Sequence, residues 1–204
     1  MKPIHVMFDL ETIGARDGAP IVQIGAVLFQ PHGHVEVAGQ VALDQGTISA
    51  PGTEFRACIE MEPWRMERAD WSTIQWWLTR TSDRARQRVF GDQTRVGIGE
   101  ALIDFTEWSK SWGTDPTYWW SDMDFDLRLM RQAYENHALQ ADACPFGNNL
   151  GPHRGVRDYR TLRWIGRGLG IEPAPFVGVE HDALDDAYAQ AYYAVKVLRH
   201  LGMD

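Results

Sequence analysis

The sequence predicts an α/β fold in a single domain spanning residues 1–204, with a mixed β-sheet of about five strands flanked by helices. Apolar stretches with strand character come first along the chain, and amphipathic stretches with helical spacing follow them. One further apolar stretch, at 117–120, lies between two predicted helices. This order favours helices packed over a mixed sheet rather than an array of repeats or two domains.

The strand patterns are strongest near the N-terminus. Residues 3–8 are apolar on both faces, which predicts a strand in the interior of the sheet. Turn residues at 17–20 separate this stretch from a second strong strand at 21–29. Weaker patterns, together with the late strand, complete the five predicted strands: 35–43, 54–61 and 117–120.

Helical spacing begins at residue 72, where apolar side chains recur at i, i+3 and i+4: Ile74, Trp77 and Leu78. Helical patterns continue on both sides of the late strand. Gly170 and Gly202 end the last two, as glycine commonly does at helix C-termini. The helices predicted after the first are 83–90, 99–112, 125–139, 159–169 and 183–201.

The composition is that of a soluble globular protein, with 44% hydrophobic and 24% charged residues. No apolar run is long enough for a membrane span or resembles an export signal. Cys58 and Cys144 form no metal-binding CxxC pair, so we expect reduced thiols in a cytoplasmic protein without a membrane partner. The net charge of −8 argues against nucleic-acid binding unless bound cations reverse the local sign.

Two carboxylates, Asp9 and Glu11, follow the first apolar stretch at a spacing of two residues. Because side chains alternate between the faces of a strand, both should point to the same face. Neighbouring anions repel each other unless a cation lies between them, and oxygen ligands suit Mg²⁺ or Mn²⁺. The pair therefore predicts a divalent metal site that takes further ligands from elsewhere in the chain.

Two later acidic clusters also fall at the ends of predicted elements. The first follows the late strand, and its three carboxylates compete for one ligand position: Asp122, Asp124 and Asp126. The second, at the start of the last helix, contains His181 and Asp186, and Asp182 is predicted as the N-cap of that helix. Each cluster also has an interpretation without a metal. Asp9 and Glu11 could be a solvated strand end, Asp126 a charge favoured at a helix N-terminus, and His181 a structural histidine.

The order of these clusters resembles the DEDDh family of 3′–5′ exonucleases, which have a ribonuclease H-like fold. That family has an Asp-x-Glu on its first strand, a later Asp at the start of a helix and a His-x4-Asp near the C-terminus. The matching residues here are Asp9, Glu11, Asp126, His181 and Asp186. Each motif alone is weak, but together and in this order they span nearly the whole chain.

Finer features resemble the phage exonuclease A branch of that family. They are Asp-Leu-Glu-Thr-Ile-Gly at 9–14, Thr-Ile-Gln-Trp-Trp at 73–77, Asp-Tyr-Arg-Thr-Leu at 158–162 and the stretch at 181–187. One departure is Ser121, since that branch usually has an Asn about five residues before the Asp of its second motif. Ser121 or Asp122 could take the role of this Asn.

The resemblance implies hydrolysis of phosphodiester bonds with two Mg²⁺ or Mn²⁺ ions. Asp9 would bridge both ions, and Glu11, Asp126 and Asp186 would complete their coordination. His181 would accept a proton from the attacking water, because a histidine with a pKa of about 6.5 is neutral near physiological pH. The expected product is a 5′-mononucleotide released from a 3′ end.

The resemblance also implies substrate contacts around the metal strand. The residues expected at the terminal nucleotide are Leu10, Thr12, Ile13 and Phe125, and Arg160 is expected at a phosphate. Arg160 belongs to a series of arginines that form either a phosphate-binding stripe or a solvated helix face: Arg154, Arg157, Arg160, Arg163 and Arg167.

Tryptophan is frequent for this length, with nine residues. Trp76 and Trp77 lie in an apolar stretch and are expected to pack in the core. Trp64, Trp71 and Trp112 have polar neighbours and are better candidates for exposed stacking on bases.

We therefore expect a 3′–5′ exonuclease that acts on single-stranded DNA ends, with DNA favoured over RNA only through the phage-like features. The alternatives are an exoribonuclease similar to oligoribonuclease or ribonuclease T, and a catalytically inactive nucleic-acid-binding module. The absence of a Gly-x4-Gly-Lys-Ser/Thr loop argues against a small-molecule phosphohydrolase. A homodimer is a further expectation, since similar enzymes are often dimers and the tryptophan-rich helices offer an interface.

Overall fold

The computed structural model describes residues 4–31, 53–91, 93–111, 118–137, 144–146 and 155–203, and of Trp64 only the backbone. This part of the chain contains six strands in one sheet, flanked by helices. The strands are β1 (His5–Thr12), β2 (Ile21–Phe29), β3 (Glu54–Ile59), β4 (Arg95–Val96), β5 (Tyr118–Ser121) and β6 (Val156–Asp158).

The helices match the predicted ones to within a few residues, apart from a short additional helix, α1. They are α1 (Pro63–Met66), α2 (Trp71–Arg80), α3 (Asp83–Phe90), α4 (Ile98–Lys110), α5 (Arg128–Asn136), α6 (Tyr159–Gly168) and α7 (Ala183–His200). A π-helical turn, Met123–Leu127, precedes α5. Among the helices in the described ranges, none is both long and apolar enough to cross a membrane.

The strands form a mixed sheet in the order β4-β3-β2-β1-β5-β6, which confirms the predicted fold class. β1, β2 and β3 form an antiparallel meander with β2 at its centre, and β1 pairs in parallel with β5 on its other side. The two end strands, β4 and β6, also pair in parallel with their neighbours. In the register of β1 and β2, Asp9 lies opposite Gly25.

The strand predictions differ from the structure in three places. β1 continues to Thr12, so Asp9 and Glu11 lie inside the strand rather than after it. β4 and β6 were not predicted, because strands of two and three residues are too short to show an alternating pattern. The predicted strand at 35–43 lies outside the described residues.

The two faces of β1 pack against different layers. Val6, Phe8 and Leu10 point into the main apolar core, which includes Phe105 from α4 and Met130 from α5. Met7, on the opposite face, packs in a second core formed largely by α7. The alternation therefore directs the odd-numbered side chains of β1, including both carboxylates, toward the side of the sheet covered by α7.

Candidate active site

A cleft of about 470 Å³ lies beside the central strand, and the acidic residues predicted from the sequence border it. Its carboxylates come from three separate elements: β1, the π-helical turn and α7. With the histidine that precedes α7, the group predicted to be catalytic consists of Asp9, Glu11, Asp126, His181 and Asp186. The structure thus brings together residues that are up to 177 positions apart in the sequence, from Asp9 to Asp186.

Asp9 is held in the cleft by a side chain from α7. Gln190 Nε2 donates a hydrogen bond of 2.6 Å to Asp9 Oδ1. Glu11, two residues further along the strand, is buried on the same face and lies close enough to Asp9 for their charges to interact. The predicted shared face is confirmed, and it is the face that meets α7.

The π-helical turn decides which of the three competing aspartates joins the cluster. Asp126 is buried, and its carboxylate accepts hydrogen bonds from the backbone N–H groups of Asp122, at 3.1 Å, and Leu10. Asp122 caps the turn by accepting from the N–H of Asp124 and forms an ion pair with Arg160. Asp126 is therefore the member directed at β1, and π-helical turns of this kind are frequent at functional sites.

The N-terminus of α7 presents Asp186 and His181 to the same cleft. The backbone N–H of His181 donates to Asp186 Oδ2 over 3.0 Å. Asp182, predicted as the N-cap, accepts from the N–H of Asp185, which confirms that prediction. The cap is itself anchored, because the fully buried Asp182 forms an ion pair with Arg56 on β3.

A glycine on β2 allows α7 to approach the sheet this closely. A Cβ atom added to Gly25 would lie 2.2 Å from both the carbonyl carbon of Ala183 and the nitrogen of Leu184. Next to it, Gln23 Oε1 accepts a hydrogen bond of 2.8 Å from the N–H of Ala183. β2 thus supplies the surface that fixes the first turn of α7, and with it the position of Asp186.

We expect Gly25→Ala to damage both the fold and the active site. The added methyl group must push the first turn of α7 away from β2, at a cost of about 1–3 kcal/mol for overpacking. Asp186 and His181 would move with that turn, so hydrolysis should fall together with the melting temperature. Gly168→Ala is the matched control, since a Cβ atom there has no neighbour within 4 Å. Wild-type stability in Gly25→Ala would contradict the close contact.

His181 has an unusual backbone and an aromatic environment. Its φ of 64° lies in the left-handed region, which is uncommon for residues other than glycine. Trp76 and the imidazole form a T-shaped contact, with ring centroids 4.8 Å apart and planes at 81°. Burial lowers the pKa of His181, while the nearby Glu180 opposes this shift. This shift favours the neutral form of the imidazole, which is the form that can accept a proton.

Burial and nearby acidic groups raise the pKa of all four carboxylates. Burial is the main cause and raises the pKa of Asp126 to about 8 and that of Asp186 to about 7. Burial also raises the pKa of Asp9 and of Glu11 well above its ordinary value, and repulsion from the neighbouring carboxylates adds to both shifts. Among the described residues, no Lys or Arg forms an ion pair with any of these four carboxylates.

These features fit a divalent cation. Glu11, His181 and Asp186 each have a ligand atom within 4.8 Å of the others. Asp9 and Asp126 lie outside this group of three but interact electrostatically with Glu11. Buried carboxylates without a counter-ion are stable when a metal neutralises them, and an oxygen-rich set suits Mg²⁺ or Mn²⁺.

We expect Mg²⁺ or Mn²⁺ to stabilise the protein more at pH 8 than at pH 6. The raised carboxylate pKa values mean that the metal-free folded state binds more protons than the unfolded chain between about pH 4 and pH 8. Its stability therefore falls as pH rises through this window, and a cation bound to the ionised cluster restores it. At about a hundred times the dissociation constant, the gain is about 3 kcal/mol, or roughly 5–10 °C in melting temperature.

Thermal denaturation with EDTA or with added metal, at both pH values, measures this gain. Asp126→Asn should lose most of it, whereas Asp104→Asn, an exposed acid on α4, should keep it. An equal gain in wild type and Asp126→Asn would mean that the metal binds elsewhere.

The substrate residues predicted from the resemblance are only partly brought to the cleft. Thr12, Phe125 and Arg160 border it. Leu10 borders it as well, but its side chain is buried in the main core. Ile13 differs from these residues, because its side chain packs in a third apolar cluster with Val22 and Val179 and does not line the cleft. Its contact with the substrate stays a prediction. The register shift between Glu11 and Thr12 changes the alternation at this point, which the regular pattern does not reveal.

Trp76 and Gln190 lie at the site but were not predicted there. Trp76 was expected in the core, but it lines the cleft against His181, and only Trp77 is fully buried. Gln190 lies four residues after Asp186 on α7, so the i, i+4 spacing could have suggested a shared helix face.

Ser121, at the position of the expected Asn, is buried, and its Oγ has no hydrogen-bond partner within the described ranges. Trp112 and Arg154 lie outside the described residues, as does the side chain of Trp64.

Comparison with solved structures supports the fold. Cell-death related nuclease 4 (CRN-4) aligns with a TM-score of 0.61 and 14% identity over 98% of this chain, which spans 65% of the length of that chain. The nuclease domain of 3′hExo, a DEDDh family member bound to rAMP, aligns with a TM-score of 0.56 and 17% identity, over 98% of this chain and 93% of that one. S. pombe Pop2p, in its Mg²⁺- and Mn²⁺-bound form, aligns with a TM-score of 0.51 and 14% identity, over 95% and 82% of the two chains.

At these sequence identities, the structural similarity shows the fold alone. The family is identified by a separate comparison of the sequence with family models. No curated protein matches this chain significantly. A family model described as the 3′-5′ exoribonuclease Rv2179c-like domain matches residues 4–198, nearly the entire chain. The protein therefore belongs to the Rv2179c-like family of 3′–5′ exoribonuclease domains, which makes it an enzyme of the 3′–5′ exonuclease class with a DEDDh-type, ribonuclease H-like fold.

Proposed function

We propose that this protein is a metal-dependent 3′–5′ exoribonuclease that removes 5′-mononucleotides from single-stranded RNA ends. The observation that carries the proposal is the convergence of four carboxylates with no cationic partner among the described residues, beside a histidine kept neutral by burial. Asp9, Glu11, Asp126 and Asp186 would hold two divalent ions. When bound, such ions lower the pKa of a coordinated water and stabilise charge on phosphate oxygens.

His181 is the proposed general base. Its imidazole borders the cleft, and burial lowers its pKa, so that it can accept a proton near neutral pH. The hydrogen bond from its backbone N–H to Asp186 and the edge contact with Trp76 fix its position. The base is thus held by groups that belong to the same site.

Cationic and aromatic side chains on the rim of the cleft are suited to the substrate. Arg160 and Arg163 lie on the α6 side, where guanidinium groups can contact phosphate. Trp76 and Phe125 also border the cleft and offer surfaces on which a base can stack. These groups would allow a protein with a net charge of −8 to bind a polyanion.

RNA is preferred to DNA in this proposal because of the family to which the chain belongs. The sequence features alone suggested single-stranded DNA through the phage exonuclease A branch, and that finer resemblance stays a prediction. The matching family model is described as an exoribonuclease, and 3′hExo was solved with the ribonucleotide rAMP. Both support RNA, and single-stranded DNA is the second candidate.

Paired digestions of 5′-labelled RNA and DNA of one sequence, with Mg²⁺ or Mn²⁺, test the proposal. We expect a ladder that shortens from the 3′ end, faster on RNA, and absent with Asp9→Ala or with excess EDTA. Faster digestion of DNA would favour the second candidate. Binding without digestion of either would point to an inactive nucleic-acid-binding module.

A homodimer and a cytoplasmic location stay part of the proposal. α2 leaves Trp71 and Leu78 exposed, at 72% and 63%, which fits the expected interface on a tryptophan-rich helix. Light scattering coupled to size exclusion would measure the mass. A mass of 23.2 kDa, that of one chain, would remove the dimer from the proposal.

A further inference from the structure

A second groove, of about 430 Å³, adjoins the active cleft. One wall is α6 and another is α7, and the segment 173–177 between these helices forms a third. The groove and the active cleft share four residues: Tyr159, Arg163, Asp186 and Gln190. The two depressions are therefore continuous at the side of the cleft that faces α6.

The segment that forms the third wall is held at both ends. Before it, the Tyr193 hydroxyl donates to the carbonyl of Ile171, and Lys196 Nζ donates to that of Glu172. After it, the N–H of Val179 donates to the carboxylate of Asp185 over 2.9 Å. Two prolines inside the segment, at 173 and 175, restrict its backbone further. The segment can therefore hold an exposed side chain in a fixed place.

The side chains of the groove combine positive charge with aromatic and apolar surface. Arg163 and Arg167 lie one turn apart on α6, and neither forms an ion pair within the described ranges. Phe176 and Val177 are exposed beside them, and Tyr192 lies on the opposite wall. Glu180 is the one acidic residue among the lining residues besides Asp186. Unpaired guanidinium groups next to aromatic rings suit a phosphate chain with unstacked bases.

We propose that this groove binds the nucleotides on the 5′ side of the scissile phosphate. The inference rests on the proposed function: a polymer whose 3′ end lies in the cleft must leave it on one side, and the shared residues make the groove its continuation. Arg163 would contact phosphate at the junction, Arg167 would contact it further along α6, and Phe176 would stack on a base. Within the arginine series of the sequence, Arg163 and Arg167 would thus bind phosphate.

Kinetics on two substrates separate the groove from the active site. One substrate is an RNA octamer, and the other is the p-nitrophenyl ester of adenosine 5′-monophosphate, which has no nucleotide on the 5′ side. We expect Arg167→Gln and Phe176→Ala each to raise KM for the octamer about fivefold to tenfold, with little change in kcat. Hydrolysis of the ester should be unchanged. Arg84→Gln, an exposed arginine that lines neither depression, is the charge-matched control.

Failure of the groove assignment and failure of the proposed function would give different results. If the wild type digests RNA and both variants keep its KM for the octamer, the groove assignment is wrong and the proposed function stands. If the wild type digests neither substrate, the proposed function has failed. In that case the affinity for a fluorescein-labelled octamer, measured by anisotropy, still decides: weaker binding by both variants supports the groove, and unchanged binding overturns it.

Discussion

Asp9→Asn should abolish the hydrolysis of RNA while leaving a folded protein. Asn has nearly the same size as Asp, and its side-chain oxygen can still accept the hydrogen bond from Gln190 that holds Asp9 in place. The substitution therefore removes a charge and little else. Because Asp9 is one of the proposed metal ligands, its loss should remove several kcal/mol of transition-state stabilisation, or about 10³-fold or more in rate.

The same substitution should not lower the melting temperature of the metal-free protein. Asp9 is surrounded by Glu11, Asp126 and Asp186, and burial and their charges raise its pKa well above the ordinary value. Replacing one member of a repelling cluster by a neutral group relieves that repulsion at neutral and higher pH. Unfolding in the presence of EDTA at pH 8 measures this effect.

Two controls make the result interpretable. Asp186→Asn should behave in the same way, since it belongs to the same cluster, and Asp104→Asn should keep full activity. Activity within about tenfold of wild type in Asp9→Asn, at saturating metal, would remove Asp9 from the proposed metal ligands.

The parts of the site that follow from local pattern could be predicted from the sequence. The period of two along a strand places Asp9 and Glu11 on one face, and this held because β1 stays regular up to Glu11. The cap pattern at the start of α7 identified Asp182 as the N-cap, which left Asp186 free to point at the sheet. Both inferences depend only on neighbouring residues.

The parts that depend on tertiary contacts could not be predicted. Local pattern leaves Asp122, Asp124 and Asp126 equivalent, and only the family resemblance favoured Asp126. In the structure, the choice depends on a π-helical turn and on a hydrogen bond from the backbone of β1. Gly25 lies in an apolar run, and its neighbours in the sequence do not indicate that the N-terminus of a helix packs against it. A local pattern shows which residues share a face, but it does not show what that face meets.

Trp76 is an aromatic example of the same limit, since its tertiary contact could not be predicted from local pattern. Helical spacing gave α2 an apolar face, and Trp77 does occupy it, donating from Nε1 to the carbonyl of Thr12 over 3.0 Å. Trp76, the preceding residue, points about 100° away from Trp77 around the helix axis. That direction meets His181, which is 105 positions away in the sequence. The tryptophan pair thus connects β1 to His181, the proposed general base.

His181→Asn should slow hydrolysis by about 10²–10⁴-fold, the usual size of a general-base contribution, without preventing metal binding. Asn is a better test than Ala, because His181 has a φ of 64° and Asn adopts this left-handed conformation more readily. The backbone N–H that donates to Asp186 is also retained. A loss of activity would then result from the missing imidazole rather than from a displaced loop.

The pH profile identifies the role of the imidazole. In wild type at saturating metal, kcat/KM should fall on the acidic side as His181 becomes protonated, because a protonated imidazole cannot accept a proton. Burial lowers the pKa of His181, so this fall should lie below the ordinary value of 6.5. The acidic limb should disappear in His181→Asn and persist in His200→Asn, an exposed histidine at the end of α7. If His181→Asn loses activity but keeps the wild-type acidic limb, His181 positions other groups and another residue accepts the proton.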